Sequence, residues 1–294
     1  MVKPTLETLS SDSKNTFLVR LFEQHEFASP YHFHPEYELT AILKGEGNRF
    51  VGNHMSAYQQ GDLVLIGGNV PHCWKTTLYD AEINAKSVVI QFRVDFLGAN
   101  FFENQSAWKV VQLFKKSFHG IHFSGAGTTA IIDLMLAITK VNDPLKKLIL
   151  LLDVLDHLTD HAAYSFLNEE PVICSPQAVE HQRLKIVQSF IIDNFRNKIT
   201  LDQVAGIAIM TRNAFCKFYK KMTGKTLTEA ITYYRLQYAM QQLLSTDKNA
   251  TQICFDAGFN DVASFHKTFK LHTGESPLGY RKQHLGLINA VSVH

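Results

Sequence analysis

Phe215-Cys-Lys-Phe-Tyr-Lys-Lys-Met-Thr-Gly224 and Phe265-His-Lys-Thr-Phe-Lys-Leu-His-Thr-Gly274 are one pattern written twice, fifty residues apart. Self-similarity at a fixed offset means one structural unit used two times. Each copy sets an aromatic stripe beside a lysine-bearing face and closes on a Thr-Gly helix stop. Two short basic helices at a set spacing suit the reading of duplex DNA.

Residues 179–284 have helical periodicity throughout. Leu184, Val187, Phe190, Ile191 and Phe195 mark a first amphipathic helix. Thr200 and Gln203 form a capping box that opens a second, about Leu201 to Ala208. A tight turn containing Met210 leads to a third, about Thr211 to Met222. Its spacing turns Ala214, Phe215, Phe218, Tyr219 and Met222 inward and Arg212, Asn213, Cys216, Lys217, Lys220 and Lys221 outward. That order is a helix-turn-helix. A longer helix, Leu227 to Leu244, spans about 27 Å and leads to a second module. There Phe265 and Phe269 pack, while Ala263, His266 and Lys267 are free.

Leu201-Asp-Gln-Val-Ala205, Phe218-Tyr-Lys-Lys-Met-Thr-Gly224, Tyr234-Arg-Leu-Gln-Tyr-Ala239, Ala257-Gly-Phe-Asn260, Ser264-Phe-His-Lys-Thr-Phe-Lys270 and Thr273-Gly-Glu-Ser-Pro-Leu-Gly-Tyr-Arg281 resemble the DNA-binding domain of AraC/XylS transcription regulators. The resemblance covers about a hundred residues. It implies that each recognition helix enters the major groove, the two about one helical turn apart. Base-contact positions would be Asn213, Cys216 and Lys217 in the first helix and Ala263, His266 and Lys267 in the second. Asn213 suits adenine, and Lys217 or Lys267 suits guanine. Arg212, Lys220, Lys221 and Lys270 are assigned to phosphate attraction, and Arg235 to a structural bond.

From Phe17 to about Phe96 short apolar or alternating runs are punctuated by Gly45, Gly47, Gly52, Gly61 and Gly67. This predicts an all-β sandwich or small barrel. Alternation places His32, His34, Glu36 and Glu38 on one strand face, so imidazoles and a carboxylate can converge. His32-x-His34-x3-Glu38-x6-Gly45, with Gly61 and His72 later, resembles the two cupin motifs over residues 25–92. Glu26, Gly67 and Thr76 depart from that pattern. The resemblance implies a divalent metal on His32, His34, Glu38 and His72, and this donor set suits Zn, Ni, Mn or Fe. Glu36 is assigned a supporting or solvated place. His32, His34, Glu38 and Trp74 are candidates for a small-molecule effector pocket; Tyr37 and Phe50 fit core packing better. Arg49 and Arg93 are weighed as anion clamps against a surface role, and Cys73 as a buried small apolar group.

Between about Asn104 and Leu167 the period shifts toward 3.6, predicting three helices that either support the barrel or mediate dimerisation. Asn168-Glu-Glu-Pro171 through Ser175-Pro176 reads as a linker. The expected organisation is α+β and multidomain: a cupin-like effector barrel over 1–100, a helical dimerisation or support segment over 101–167, a linker over 168–178, and an all-α domain with two helix-turn-helix motifs over 179–294. Charge divides at the same place. Residues up to 178 carry 14 basic and 19 acidic side chains, about −5, and the remainder 15 and 8, about +7. Only the basic part suits a polyanion.

Cys73, Cys174, Cys216 and Cys254 form no Cys-x-x-Cys pair, which argues against a disulfide or zinc-ribbon framework. The N-terminal residues lack a signal-peptide core, and the most apolar run is broken by Asp153 and Asp156. A cytoplasmic protein without a membrane segment is expected. The leading reading is a DNA-binding regulator, an activator by resemblance, not an enzyme, governed by a small molecule in the barrel. Its expected partners are double-stranded DNA, the effector and a second copy of the chain as a homodimer, with RNA polymerase also admitted by the resemblance. The alternatives are a metal-sensing regulator and, less favoured, a metal-dependent cupin enzyme with His32, His34, Glu38 and His72 as catalytic ligands. The enzyme reading leaves the duplicated helices unexplained.

Overall fold

Strict alternation makes strand Tyr37–Lys44 two-faced: Leu39 and Ala41 enter one apolar core, while Glu38, Thr40 and Ile42 turn the other way. The fold is that of a computed structural model, which describes residues 17–76, 85–98, 100–161, 163–173 and 179–291. It divides into two units, one up to His181 and one from Gln182 onward.

In the first unit the strands are β1 (Phe17–Gln24), β2 (Tyr37–Lys44), β3 (Gly47–Val51), β4 (His54–Tyr58), β5 (Leu63–Ile66), β6 (His72–Thr76), β7 (Ala85–Phe92), β8 (Ile121–Phe123) and β9 (Tyr164–Phe166). They form a six-stranded sheet, β1-β7-β2-β5-β8-β9, and a three-stranded sheet, β4-β3-β6. Every recorded pairing is antiparallel. Ile42, Val64 and Ile66 of the large sheet meet Val51, Tyr58 and Trp74 of the small one in a shared core. The outer face of the large sheet carries α1 (Trp108–Lys116), α2 (Gly127–Lys140) and α3 (Pro144–Asp160), with Ile131, Met135, Leu151 and Leu155 buried against Leu39, Leu65 and Ile90.

The three expected helices are present, and their apolar stripes support the sheet. Leu145 and Ile149 of α3 stay exposed. β8 and β9 were not anticipated, because three residues are too few to show a period. The expected linker at 168–178 is bound to the sheets on its N-terminal side. Asn168 donates from Nδ2 to the carbonyls of Val51 and His119, and the Val172 amide donates to Phe118 O at 2.8 Å. Residues 174–178 lie outside the described residues, and Cys174 with them; among the described residues Cys73, Cys216 and Cys254 form no disulfide. Among the described residues no helix is long and apolar enough to cross a membrane.

The second unit is helical: α4 (Val179–Asn194), α5 (Leu201–Ile207), α6 (Arg212–Thr223), α7 (Leu227–Ser245), α8 (Ala250–Asp256), α9 (Val262–Thr273) and α10 (Pro277–Val291). Its repeat extends to the helix ends. Thr200 with Gln203 and Asn249 with Gln252 close capping boxes on α5 and α8. Thr211 and Asp261 cap α6 and α9, and Gly224 and Gly274 end them in left-handed conformation. Thr223 and Thr273 each donate Oγ1 to a carbonyl four residues back. Phe215 and Phe265 are both fully buried. Ala214, expected inside, is exposed on α6, one position short of the buried stripe.

Candidate functional site

His32 and His72 exchange backbone hydrogen bonds at 3.0 and 2.7 Å, which lays the segment before β2 against the start of β6. Two residues on, His34 turns to the same point. The three rings present donor nitrogens within 4.8 Å of one another, all buried. Each flanking ring is held through its other nitrogen: His32 Nδ1 lies 2.9 Å from Pro30 O, and His72 Nδ1 lies 2.8 Å from Val70 O. Outer contacts of this kind orient metal-binding imidazoles. His72 Nε2 has no hydrogen-bond partner, its nearest carboxylate oxygen being Glu38 Oε1 at 3.5 Å.

Glu38 lies against two of the rings, with Oε2 3.1 Å from His34 Nε2. Thr40 donates to its other oxygen at 2.8 Å. Burial works against its ionisation, but His72 and His34 hold it well below the usual carboxylate range. Burial also opposes charge on His34, yet the neighbouring carboxylates of Glu36 and Glu38 raise it to about 9. Burial, with His72 adding to it, pushes His32 down to about 3, so that ring is neutral at pH 7. Glu36 is buried rather than solvated, with Oε2 3.4 Å from His34 Nδ1.

Beside the histidines is a cavity of about 100 Å³ whose walls include His32, Glu38, Thr40, Trp74, Ser87 and Gln91. Of the four expected pocket residues His32, Glu38 and Trp74 line it; His34 is not in its wall. The Trp74 indole nitrogen is buried without a partner. Gln91 was missed by the sequence reading. It donates to Glu38 Oε2 at 2.9 Å because the β2–β7 register sets the two directly opposite, a signal that needs the pairing. Arg49 is neither surface nor clamp: it is fully buried and ion-paired with Asp62, whereas Arg93 is exposed and paired with Asp95. Tyr37, stacked on Phe92, and Phe50 are core, and Cys73 is buried as expected.

In the second unit Asn213, Cys216, Lys217, Lys220 and Lys221 are exposed on α6, and Ala263, Lys267 and Lys270 on α9; His266 is half-buried against Phe265. Lys217, Lys220, Lys267 and Lys270 have no carboxylate within ion-pair distance among the described residues. Arg212 differs, since its guanidinium forks onto both oxygens of Asp202 and ties α6 to α5. Arg235 and Arg281 play matching structural parts. Arg235 donates to Phe195 O and Asn197 O, and Arg281 to Leu243 O, Thr246 O and Lys248 O.

Residues 204–283 match the family model of a helix-turn-helix domain, and residues 18–80 that of a cupin domain. The chain is therefore a helix-turn-helix protein with a cupin domain ahead of it. That combination is the one the resemblance to AraC/XylS regulators implies. Similar proteins include the uncharacterized HTH-type transcriptional regulator YdeC of Bacillus subtilis, 27% identical over 106 residues, 36% of each chain. The lactose operon transcription activator of Staphylococcus xylosus is 30% identical over 119 residues, 40% of this chain and 43% of that one. A solved transcriptional regulator from Chromobacterium violaceum with an AraC-type DNA-binding domain is 24% identical, covering 35% of this chain and 91% of that one with a TM-score of 0.33. The chain spans less than half the length of these curated relatives.

Proposed function

We propose that the chain is a sequence-specific DNA-binding transcription regulator, acting as an activator, in which α6 and α9 read the major groove. One observation carries this reading: the two modules share caps, glycine stops and buried aromatics, while their exposed faces bear Lys217, Lys220, Lys267 and Lys270, none with a carboxylate within ion-pair distance among the described residues. A packing unit preserved beneath two different polar faces is what reading two different half-sites requires. Asn213, Cys216 and Lys217 contact bases in one box, Ala263, His266 and Lys267 in the other. Lys220, Lys221 and Lys270 meet phosphate.

Regulation enters through the cavity beside the histidines, whose hydroxyl and amide lining fits a small polar effector. Such a ligand alters DNA binding only by binding one state of the protein better than another. The exposed Leu145 and Ile149 of α3 offer a face for a homodimer. A protein of this kind works in the cytoplasm, with RNA polymerase as a further partner. Selection from a random duplex pool tests the DNA reading. The expected outcome is an asymmetric pair of boxes bound by each protomer; recovery of no common sequence would overturn it.

A second reading rests on the three converging imidazoles. The residues fit a divalent ion: two rings are pre-oriented by carbonyls, and His72 Nε2 is buried without a hydrogen bond. His32, His34 and His72 would hold it with Glu38, and the ion would supply a fixed positive charge to which an oxygen ligand can bind. In the metal-sensing form of this reading the ion is itself the effector. Calorimetric titration with Zn and Ni, paired with DNA affinity measured with and without metal, separates sensing from a metal that only supports the fold.

A further inference from the structure

The outer face of the first unit holds a second cleft that shares no wall residue with the histidine cavity. Its volume is about 220 Å³. Leu113 of α1, Ile121 and Phe123 of β8 and Leu158 of α3 supply buried apolar side chains to its walls. Trp108 and Tyr164 also line it, and both are large aromatics left substantially exposed. Apolar walls beneath exposed rings are the usual composition of a small-molecule site rather than of plain surface.

Charge completes the description. Lys109 and Lys116 both line the cleft, but Lys109 is paired with Asp160 at 2.7 Å. Lys116 has no carboxylate within ion-pair distance among the described residues, and its ammonium donates to the Tyr164 phenol oxygen at 3.0 Å. That bond leaves the phenol proton and the remaining ammonium protons available to an acceptor. Trp108, Gln112 and Lys116 follow one another at four-residue spacing on α1, so aromatic and cation sit along one face. An apolar body with a single negative end matches these walls.

We propose that this cleft is a second ligand site, for a small amphipathic monocarboxylate whose apolar part lies against Leu113, Phe123 and Leu158 and whose carboxylate accepts from Lys116 and Tyr164. Size narrows the class. An apolar cavity of about 150 Å³ accommodates benzene, whereas sites for drug-sized ligands run to about 300–1,000 Å³. One ring or a short chain fills the space.

Calorimetric titration of the full chain with phenylacetate tests this, beside phenylacetamide as the uncharged match and beside Lys116→Gln. Lys116 is exposed, so the variant retains the fold. Wild type should bind phenylacetate with a dissociation constant of about 1 mM or tighter. Removing the charge from either side should weaken binding about tenfold or more. Absence of binding by wild type, or equal affinity for the amide, overturns the proposal. So does unchanged affinity in Lys116→Gln, which would place the acid elsewhere, in the histidine cavity for instance. A failure here leaves the DNA-box selection untouched, because that measurement involves neither cleft nor acid.

Discussion

Ile209 and Gly258 hold the same position in the two helix-turn-helix modules, and both have left-handed backbones, with φ of 55° and 89°. Their surroundings repeat bond for bond. Met210 N donates to Ala205 O and Phe259 N to Cys254 O; Ala208 N donates to Val204 O and Ala257 N to Ile253 O. The turn geometry is thus imposed by the module, whatever residue fills it. A β-branched side chain is tolerated at Ile209 because it projects into solvent at 84% exposure. At Gly258 there is no room, since a Cβ would lie 2.3 Å from Arg196 O.

The two positions therefore respond oppositely to substitution. Ile209→Gly removes a left-handed penalty of about 1–2 kcal/mol and gives back part of it as unfolded-chain entropy, about 0.4–1 kcal/mol. A net stabilisation of about 1 kcal/mol is expected in urea unfolding. Gly258→Ala adds backbone strain to a main-chain clash and should cost about 2–4 kcal/mol. Equal and small effects at both sites would contradict the steric account.

Arg235 and Arg281 are the second repeated device, each reaching back to carbonyls at the end of an earlier helix. Arg235→Ala leaves Phe195 O and Asn197 O without that donor. The expected loss is about 2–3 kcal/mol. Arg235→Lys should recover only part, because one ammonium cannot reproduce the planar fork. Thermal unfolding of the three proteins ranks them.

How much of this was visible beforehand follows from where each signal resides. The helix-turn-helix modules were legible because Phe215 and Tyr219 repeat as Phe265 and Phe269 on a helical period, and Thr-Gly marks both ends. The histidine cluster was legible in the His-x-His-x3-Glu spacing, although His32, His34 and Glu36 precede β2 instead of alternating along a strand, and the bridge of His32 to His72 is what brings the rings together. Gln91 was not, since its meeting with Glu38 depends on pairing across fifty-three residues. Asn168 misled for a different reason: Asn-Glu-Glu-Pro has the chemistry of a free linker, and only the carbonyls of Val51 and His119 make it an anchor. Arg212 has the spacing of a phosphate contact, but Asp202 one helix earlier claims its guanidinium.

The DNA faces should separate by role. Lys217→Ala and Lys267→Ala should each weaken binding to the selected site by about 1–3 kcal/mol and relax preference within one box only. Asn213→Ala should do the same within the box read by α6. Lys270→Ala should weaken all sequences alike and reduce the slope of log affinity against log salt by about 1. Gel-shift titrations at several salt concentrations, on the selected site and on single-box variants, check each outcome. Equal losses on specific and random duplex for Lys217→Ala would move that residue to the phosphate class.

Asp62 gives the first unit a defined acid sensitivity. It is buried, ion-paired with Arg49, and its Oδ1 lies 2.9 Å from His122 Nε2. Burial alone would raise its carboxyl; the hydrogen bond to His122 and the charge of Arg49 outweigh that and lower it. A carboxylate depressed in the folded state contributes stability that is present above its unfolded pKa, about 3.9, and lost as pH falls through the lower folded value. Asp62→Asn removes that contribution and leaves Arg49 buried without its countercharge. The expected cost at pH 7 is about 3–5 kcal/mol. The gap between wild type and variant should hold down to about pH 4 and narrow below it. Urea unfolding of both proteins between pH 7 and pH 3 measures the gap; a gap that widens on acidification would mean that Asp62 is protonated in the folded protein and bonded to Arg49 as a neutral acid.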